Sequence, residues 1–385
     1  MRRIYMDANA TTPVLPEVLE AMRPYWGEAF GNASSIHQPG QRARAAVDHA
    51  REQVARLLNC RPAEIAFTSG GTESDNMALF GVLSHGDHLI TTAIEHHAVL
   101  HAAEALAERG VEVTFLPCTD EGIVEAASLE AVLKPNTKLV SVMLANNETG
   151  AVQPVRELAE LTHAAGALFH TDAIQAAGKL PLDVKALSCD LLSISGHKMY
   201  APQGTGALFV RRNVKLKPMF FGGLHERGRR PGTENVAGIA GLGKAAELAG
   251  AWLAGDGPHQ LTALRDRLEH CVIAAVQEAG VNSGAAARVP NTSNLWFDNV
   301  EAEALVIALD LKGLAISGGS ACQSGATEPS HVLRAMGLSE ARARGSVRFS
   351  LSRMNTLDEI DAAVAMVPVA VARLRELAPV AAATR

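Results

Sequence analysis

Between residues 64 and 212 the chain alternates short apolar runs with longer helical patterns, and this order restricts the fold more than any other feature. EIAFT (64–68), DHLITT (87–92), VEVTFL (111–116), KLVSVML (138–144), ALFHT (167–171), DLLSIS (190–195) and GALFVRR (206–212) read as strands. Helical patterns over 73–84, 97–109, 128–133 and 154–165 lie between most of them. Such a βαβα order predicts an α/β fold, a mostly parallel central sheet with helices on both faces. After about residue 255 the pattern changes. A helix over 258–278, the strand TSNLWF, a helix over 301–310, the strand SVRFSL and a terminal helix over 356–377 predict a smaller α+β domain. The expected division is a large domain over 15–255 and a small one made of 1–14 and 256–385. A chain of 385 residues is long enough for both. The Ala-rich end, PVAAATR, is expected to fray.

Composition removes several function classes. The formal net charge is −6, so no DNA partner and no acidic membrane surface is expected. RRNVKLK (211–217) reads as a solvated turn, and HERGRR (225–230) is a second short basic stretch. The start, MRRIYMDANATT, lacks the apolar segment of a secretory signal. AAVAMVPVAVA (362–372) is too short for a membrane span and contains Pro368. A cytoplasmic protein is expected. The five cysteines are odd in number and include no C-x-x-C pair, which argues against a disulfide framework or a zinc ribbon. Cys189 precedes an apolar strand and reads as core, while Cys60, Cys118 and Cys271 read as structural. Cys322 differs. It sits in SGGSACQSGAT (317–327), where small residues offer no packing surface and suggest a mobile loop.

The chemistry concentrates at strand ends. In SISGHKMYAPQGTGALFV (193–210), Lys198 follows an apolar strand through a sharp Gly196-His197 turn. A desolvated lysine has a lowered pKa and becomes a good imine-forming amine; the bland alternative is a lysine that snorkels to the surface. Gly204-x-Gly206 leads into a strand rather than a helix, which removes a nicotinamide reading. In FHTDAIQ (169–175), Asp172 lies just past a strand, where open α/β sheets bind ligands, although a helix N-cap suits it equally. Pyridoxal phosphate needs a carboxylate at its ring nitrogen, a lysine for its aldehyde and a donor to its ring oxygen. Asp172, Lys198 and Gln175 match these needs.

TSGGTESDNMAL (68–79) supplies a glycine pair and a helix start at Gly71 and Thr72, an anion seat that Ser195 and His197 can complete; Thr72 also suits an N-cap. His96, at a strand-to-helix junction, is placed to stack on a cofactor ring and move protons. His97 and His101 have i,i+4 spacing but no third ligand, so no metal is expected. Asn147 in ANNETGAVQP offers a hydrogen-bond donor, or simply a turn. Arg348 in SVRFS is placed to hold a carboxylate or to form a buried ion pair.

Taken in order, DANATTP, GNASS, FTSGGTESDN, EHHAVL, NNETGAVQP, HTDAIQ, SGHKMYAPQGTGAL, RGRRPGTEN, SGGSACQSG, EPSHVLRAMG and VRFSLSR resemble the cysteine desulfurases of the class V aminotransferase family, in the group serving nitrogen fixation and iron–sulfur assembly. The resemblance implies a PLP-dependent transferase of fold type I and a homodimer in which Thr233 reaches the phosphate bound by the other subunit. It implies that L-cysteine displaces Lys198 from the cofactor aldehyde and that Lys198 removes the Cα proton, with His96 managing protons. Asn32, Asn147 and Arg348 would hold the substrate. Cys322 would take the sulfur as a persulfide, leaving alanine. The loop would then deliver that sulfur to an acceptor such as an iron–sulfur scaffold, where Cys322 would touch a nascent [2Fe–2S] cluster. Gly319, Gln323 and Pro231 depart from the usual pattern. The short cysteine loop differs from the RxGHHC-like loop of the second desulfurase group. A selenocysteine lyase or another pyridoxal-phosphate aminotransferase or lyase is the alternative, and the identity of the acceptor stays open.

Overall fold

The computed structural model describes residues 3–318 and 329–377. Cys322, with Gly319 and Gln323, and the PVAAATR end lie outside the described residues. The strands are β1 (Ile4–Tyr5), β2 (Ile65–Thr68), β3 (His88–Thr92), β4 (Glu112–Leu116), β5 (Thr137–Ser141), β6 (Leu168–Asp172), β7 (Leu191–Ser195), β8 (Gly206–Val210), β9 (Ala279–Asn282), β10 (Thr292–Phe297), β11 (Leu314–Ala315), β12 (Ser317–Gly318) and β13 (Ser346–Ser350). Seven form one sheet in the order β2-β8-β7-β6-β5-β3-β4. It is parallel from β7 to β4, and β8 runs antiparallel to both its neighbours. A second, antiparallel sheet has the order β12-β13-β10-β9, and β1 pairs with β11.

The large sheet is covered on both faces because its strands alternate apolar residues that are buried on each side. Leu89, Leu139 and Leu191 pack with α3 (Gly71–Val82) and α4 (His97–Glu108). Their chain neighbours Ile90, Val140 and Leu192 join the opposite cluster. That cluster draws on α1 (Pro16–Met22), α2 (Gln38–Leu57), α6 (Val155–Ala164) and α7 (Val236–Ala254), with α5 (Ala126–Glu130) beside them. A third cluster lies between the second sheet and α8 (Gly257–Ala275), α9 (Ala302–Asp310) and α12 (Leu357–Leu377). Two short helices, α10 (His331–Ala335) and α11 (Glu340–Arg344), precede β13.

Several sequence readings shift. The 138–144 strand ends at Ser141, although the Val142 and Leu144 amides still donate to His170 O (3.1 Å) and Asp172 O (2.8 Å). Thr72 is not the N-cap of α3; Gly70 is. Gly70 has φ +154°, a conformation open to glycine, so the helix is capped two residues before Thr72. Helices α2 and α7 were not expected. Gly243 of α7 lies so close to α2 that a Cβ there would stand 2.5 Å from Ala50 Cα, which is why a glycine-rich segment packs as a helix here. Among the described residues no helix is long and apolar enough to cross a membrane.

Candidate active site

Strand periodicity puts the site on the α3 face of the large sheet. Leu191, Ser193 and Ser195 point one way along β7, and Leu168, His170 and Asp172 do so along β6. Asp172 pairs in register with Ser193, so the ends of the two strands lie side by side. The N-terminus of α3 faces them. A cavity of about 330 Å³ opens there, lined by Gly71, Thr72, His96, Asn147, Asp172, Gln175, Ser195, His197, Lys198 and Arg348. Ten of the expected site residues are thus brought together. Asn32 and Thr233 are not. Both are exposed, and Asn32 Oδ1 accepts from its own turn at Ser34 N (2.8 Å). In a single chain Asn32 does not line the cavity.

Lys198 does not snorkel. After β7 the turn Gly196–Lys198 directs its amine inward, where Nζ donates to the carbonyl oxygens of Asn9 and Ala10, the latter at 2.7 Å. Asp172 is the last residue of β6, not an N-cap; its Oδ1 accepts from Ile174 N (2.8 Å). Burial raises the Asp172 pKa, because a carboxylate without a fully compensating cation is costly in this setting. Behind it, the His170 ring bridges Ser141 Oγ (2.8 Å) and Ser193 Oγ (3.0 Å), and burial pushes its pKa down to about 3. Asp75 of α3 is buried alongside, and burial together with the charge of Asp172 pushes its carboxyl well up.

His96 caps α4, its Nδ1 accepting from Ala98 N (3.1 Å). Burial and then the Lys198 charge lower its pKa to about 4, so the ring is neutral at pH 7 with its proton on Nε2. His97, His101 and His331 cluster beside it, with ring centroids 5.0 Å apart for the tilted His97–His101 pair and 4.7 Å for the edge-to-face His97–His331 pair. Among the described residues no group of three or more His, Cys, Asp or Glu side chains is arranged to hold a metal ion.

Arg348 realises the ion-pair reading and still lines the cavity. One terminal nitrogen donates to Asp7 Oδ1 (2.8 Å) and the other to Asn147 O (2.9 Å). Its Nε, together with Asn147 Oδ1 and Ser195 Oγ, is buried without a hydrogen-bond partner. Three orphaned polar atoms around one cavity are expensive unless a polar ligand satisfies them. The α3 N-terminus adds backbone N–H groups for an anion. A Cβ at Gly71 would stand 2.1 Å from Ile174 Cδ1, so glycine lets this helix start pack against Ile174 without displacing it. The residues present therefore fit pyridoxal phosphate: amine, carboxylate, amide and anion seat surround one space.

Sequence reasoning missed Asn9, Lys179, Glu148 and His331. Asn9 and His331 lie inside motifs that carried the resemblance, DANATTP and EPSHVL, but neither residue stood out chemically.

The sheet, the strand-end lysine and the carboxylate facing a helix N-terminus define a fold type I pyridoxal-phosphate enzyme. The model of the class-V aminotransferase family matches residues 4–363. A cysteine desulfurase of Trichormus azollae is 49% identical over 382 residues, covering 98% of this chain and 95% of that protein. The solved structure of a NifS-like protein is 35% identical with a TM-score of 0.90, covering 96% of this chain and 100% of that one. A structure titled SspA in complex with cysteine is 37% identical with a TM-score of 0.81, covering 92% and 100%. The chain belongs to the class-V aminotransferase family, in its cysteine desulfurase group.

Proposed function

We propose that this chain converts L-cysteine to L-alanine and carries the sulfur as a persulfide on Cys322. The observation that carries the reading is the convergence of Lys198, Asp172, Gln175 and the α3 N-terminus on one cavity at the strand ends. Pyridoxal phosphate, when bound, supplies an aldehyde that captures amines and a ring that accepts electrons from the substrate Cα. Lys198 would hold the aldehyde and supply the amine that takes the Cα proton. Asp172 would pair with the ring nitrogen, whose positive charge would compensate its buried carboxylate. Gly71, Thr72, Ser195 and His197 would seat the phosphate. His96 would lie against the ring and offer Nε2 for proton transfer. Arg348 and Asn147 hold the substrate carboxylate, for which Arg348 turns its guanidinium partly away from Asp7. The SspA structure holding cysteine supports this choice of substrate.

The working unit in this reading is a homodimer, with residues 1–14 and 256–385 forming a small domain that carries the cysteine loop. Trp26, Phe30, Ile36, Phe221 and Leu224 leave large apolar surface exposed in the single chain, which favours a covering subunit. Thr233, also exposed, is then free to reach the partner's phosphate. The sulfur acceptor is a second protein, such as an iron–sulfur scaffold, in the cytoplasm.

The test uses Cys322→Ser loaded with cofactor. It should still bind L-cysteine, seen as a change in the visible spectrum, but release neither alanine nor sulfide at the wild-type rate, because a serine hydroxyl is a poor nucleophile toward sulfur. Undiminished sulfide release would make the chain a lyase that expels sulfur directly.

A further inference from the structure

Lys179 is a buried lysine that the mechanism above does not use. It follows β6, seven residues after Asp172, and its side chain is enclosed. Its Nζ donates to Gln175 Oε1 (2.7 Å) and to Asn9 Oδ1 (2.9 Å). These two acceptors match the two protons of a neutral amine. Burial, with the Lys198 and Arg348 cations nearby, pushes its pKa well down, in agreement with that form.

Both acceptors matter to the site. Gln175 Oε1 is occupied by Lys179, so its amide nitrogen must face the other way. There Nε2 gives one proton to Asn9 O (3.1 Å), and the second proton is left for the cavity that Gln175 lines. Asn9 is fixed on every side. Its Oδ1 also accepts from Asn291 Nδ2 (3.0 Å), its Nδ2 donates to Thr292 Oγ1 (2.8 Å) and Asn147 O (3.2 Å), and its carbonyl oxygen accepts from Lys198. One amine thus contacts both the amide that would meet the cofactor ring and the side chain of the residue whose carbonyl receives Lys198.

We propose that Lys179 is a positioning residue: it locks the Gln175 amide with its nitrogen toward the cavity and presets a hydrogen-bond donor for the ring oxygen of pyridoxal phosphate. Without it Gln175 Oε1 loses its donor, and only the Nε2 bond to Asn9 O still opposes a turn of the amide that would present an acceptor to that oxygen. The inference rests on the cofactor reading above.

The experiment compares Lys179→Met, Gln175→Ala and the double variant in the full-length chain stripped of cofactor. Dissociation constants for pyridoxal phosphate, the visible absorption maximum of the bound cofactor and the Tm before loading are measured. Each single change should weaken cofactor binding about tenfold, the scale of one buried hydrogen bond, and displace the absorption maximum. The double variant should be no weaker than Gln175→Ala alone, because both changes remove the same contact. Cofactor affinity within twofold of wild type in Lys179→Met, or effects that multiply in the double variant, would overturn the proposal. So would a lowered Tm with unchanged affinity and spectrum. If Lys179→Met does not fold, Gln175→Ala decides: a tenfold loss supports the proposal, and unchanged affinity leaves Lys179 nothing to act through. A wild-type chain that takes up no cofactor would instead refute the functional reading itself.

Discussion

The floor of the cavity and its rim come from different parts of the chain. The floor consists of Gly71, Asp172, Ser195 and Lys198, on or just beyond elements of one sheet, with Asp172 and Ser193 in backbone register. The rim consists of Asn9, Asn147 and Arg348, joined through contacts between segments far apart in sequence. Arg348 meets Asp7 across 341 positions, and Asn9 meets Thr292 across 283. The floor exists once the large sheet has formed. The rim needs the N-terminal segment and the second sheet to dock on it. The proposed function puts cofactor chemistry on the floor and substrate selection on the rim, and substitutions should separate the two.

The largest effect is expected at Lys198. Lys198→Ala removes the amine proposed both to anchor the cofactor and to move the Cα proton, so turnover should fall about 10³-fold or more. Borohydride, which fixes a lysine–cofactor link in the wild type, should fix none in the variant. An unchanged adduct would place the link on another lysine. Next is Asp172→Ala, expected to loosen the cofactor and slow turnover about 10²-fold through loss of electrostatic support for the ring. Full activity with saturating cofactor would move the partner of the ring nitrogen elsewhere.

At the rim the effect is smaller and of another kind. Arg348→Lys keeps the charge but loses the fork geometry. It should raise KM for L-cysteine about tenfold while the cofactor dissociation constant stays within about twofold. If the cofactor loosens as much as in Asp172→Ala, floor and rim form one unit and the comparison breaks.

The smallest effect is on stability. Glu148, also at the rim, contacts Ser330 Oγ at 2.5 Å, and burial holds its carboxyl up at about 7. The native state keeps this proton where the unfolded chain, near 4.5, has lost it. Its contribution is full below about pH 4.5 and is lost as pH rises to about 7. Glu148→Gln stays neutral throughout. It should gain on wild type by about 2 kcal/mol between pH 5 and pH 8, a few degrees in Tm. A Tm difference that does not change with pH would contradict a protonated Glu148.

The same division governs what could be read in advance. The floor was legible because period-two strands fix which residues share a face, and Asp172 ends, and Lys198 follows, an apolar strand where charge is conspicuous. The rim was legible only in part. Arg348 stood out in an apolar strand, but its choice between substrate and Asp7 depended on how the N-terminal segment docks. Lys179 sits in QAAGKLP, which looks like surface; its burial comes from Asn9, 170 residues away. Helix α7 was hidden because its glycines lower helix propensity while allowing close approach to α2. Asn32 does not line the cavity of one chain, where its Oδ1 accepts from its own turn.

The central claim is that the amine on the cavity floor drives sulfur onto the loop cysteine. The most direct test is the mass of the peptide containing Cys322 after the cofactor-loaded protein meets L-cysteine, in the wild type and in Lys198→Ala. The account predicts one extra sulfur atom on the wild-type peptide, removable by a thiol reductant, and none on the variant. A wild-type peptide without the extra sulfur during active turnover, or a variant peptide that carries it equally, would contradict the account.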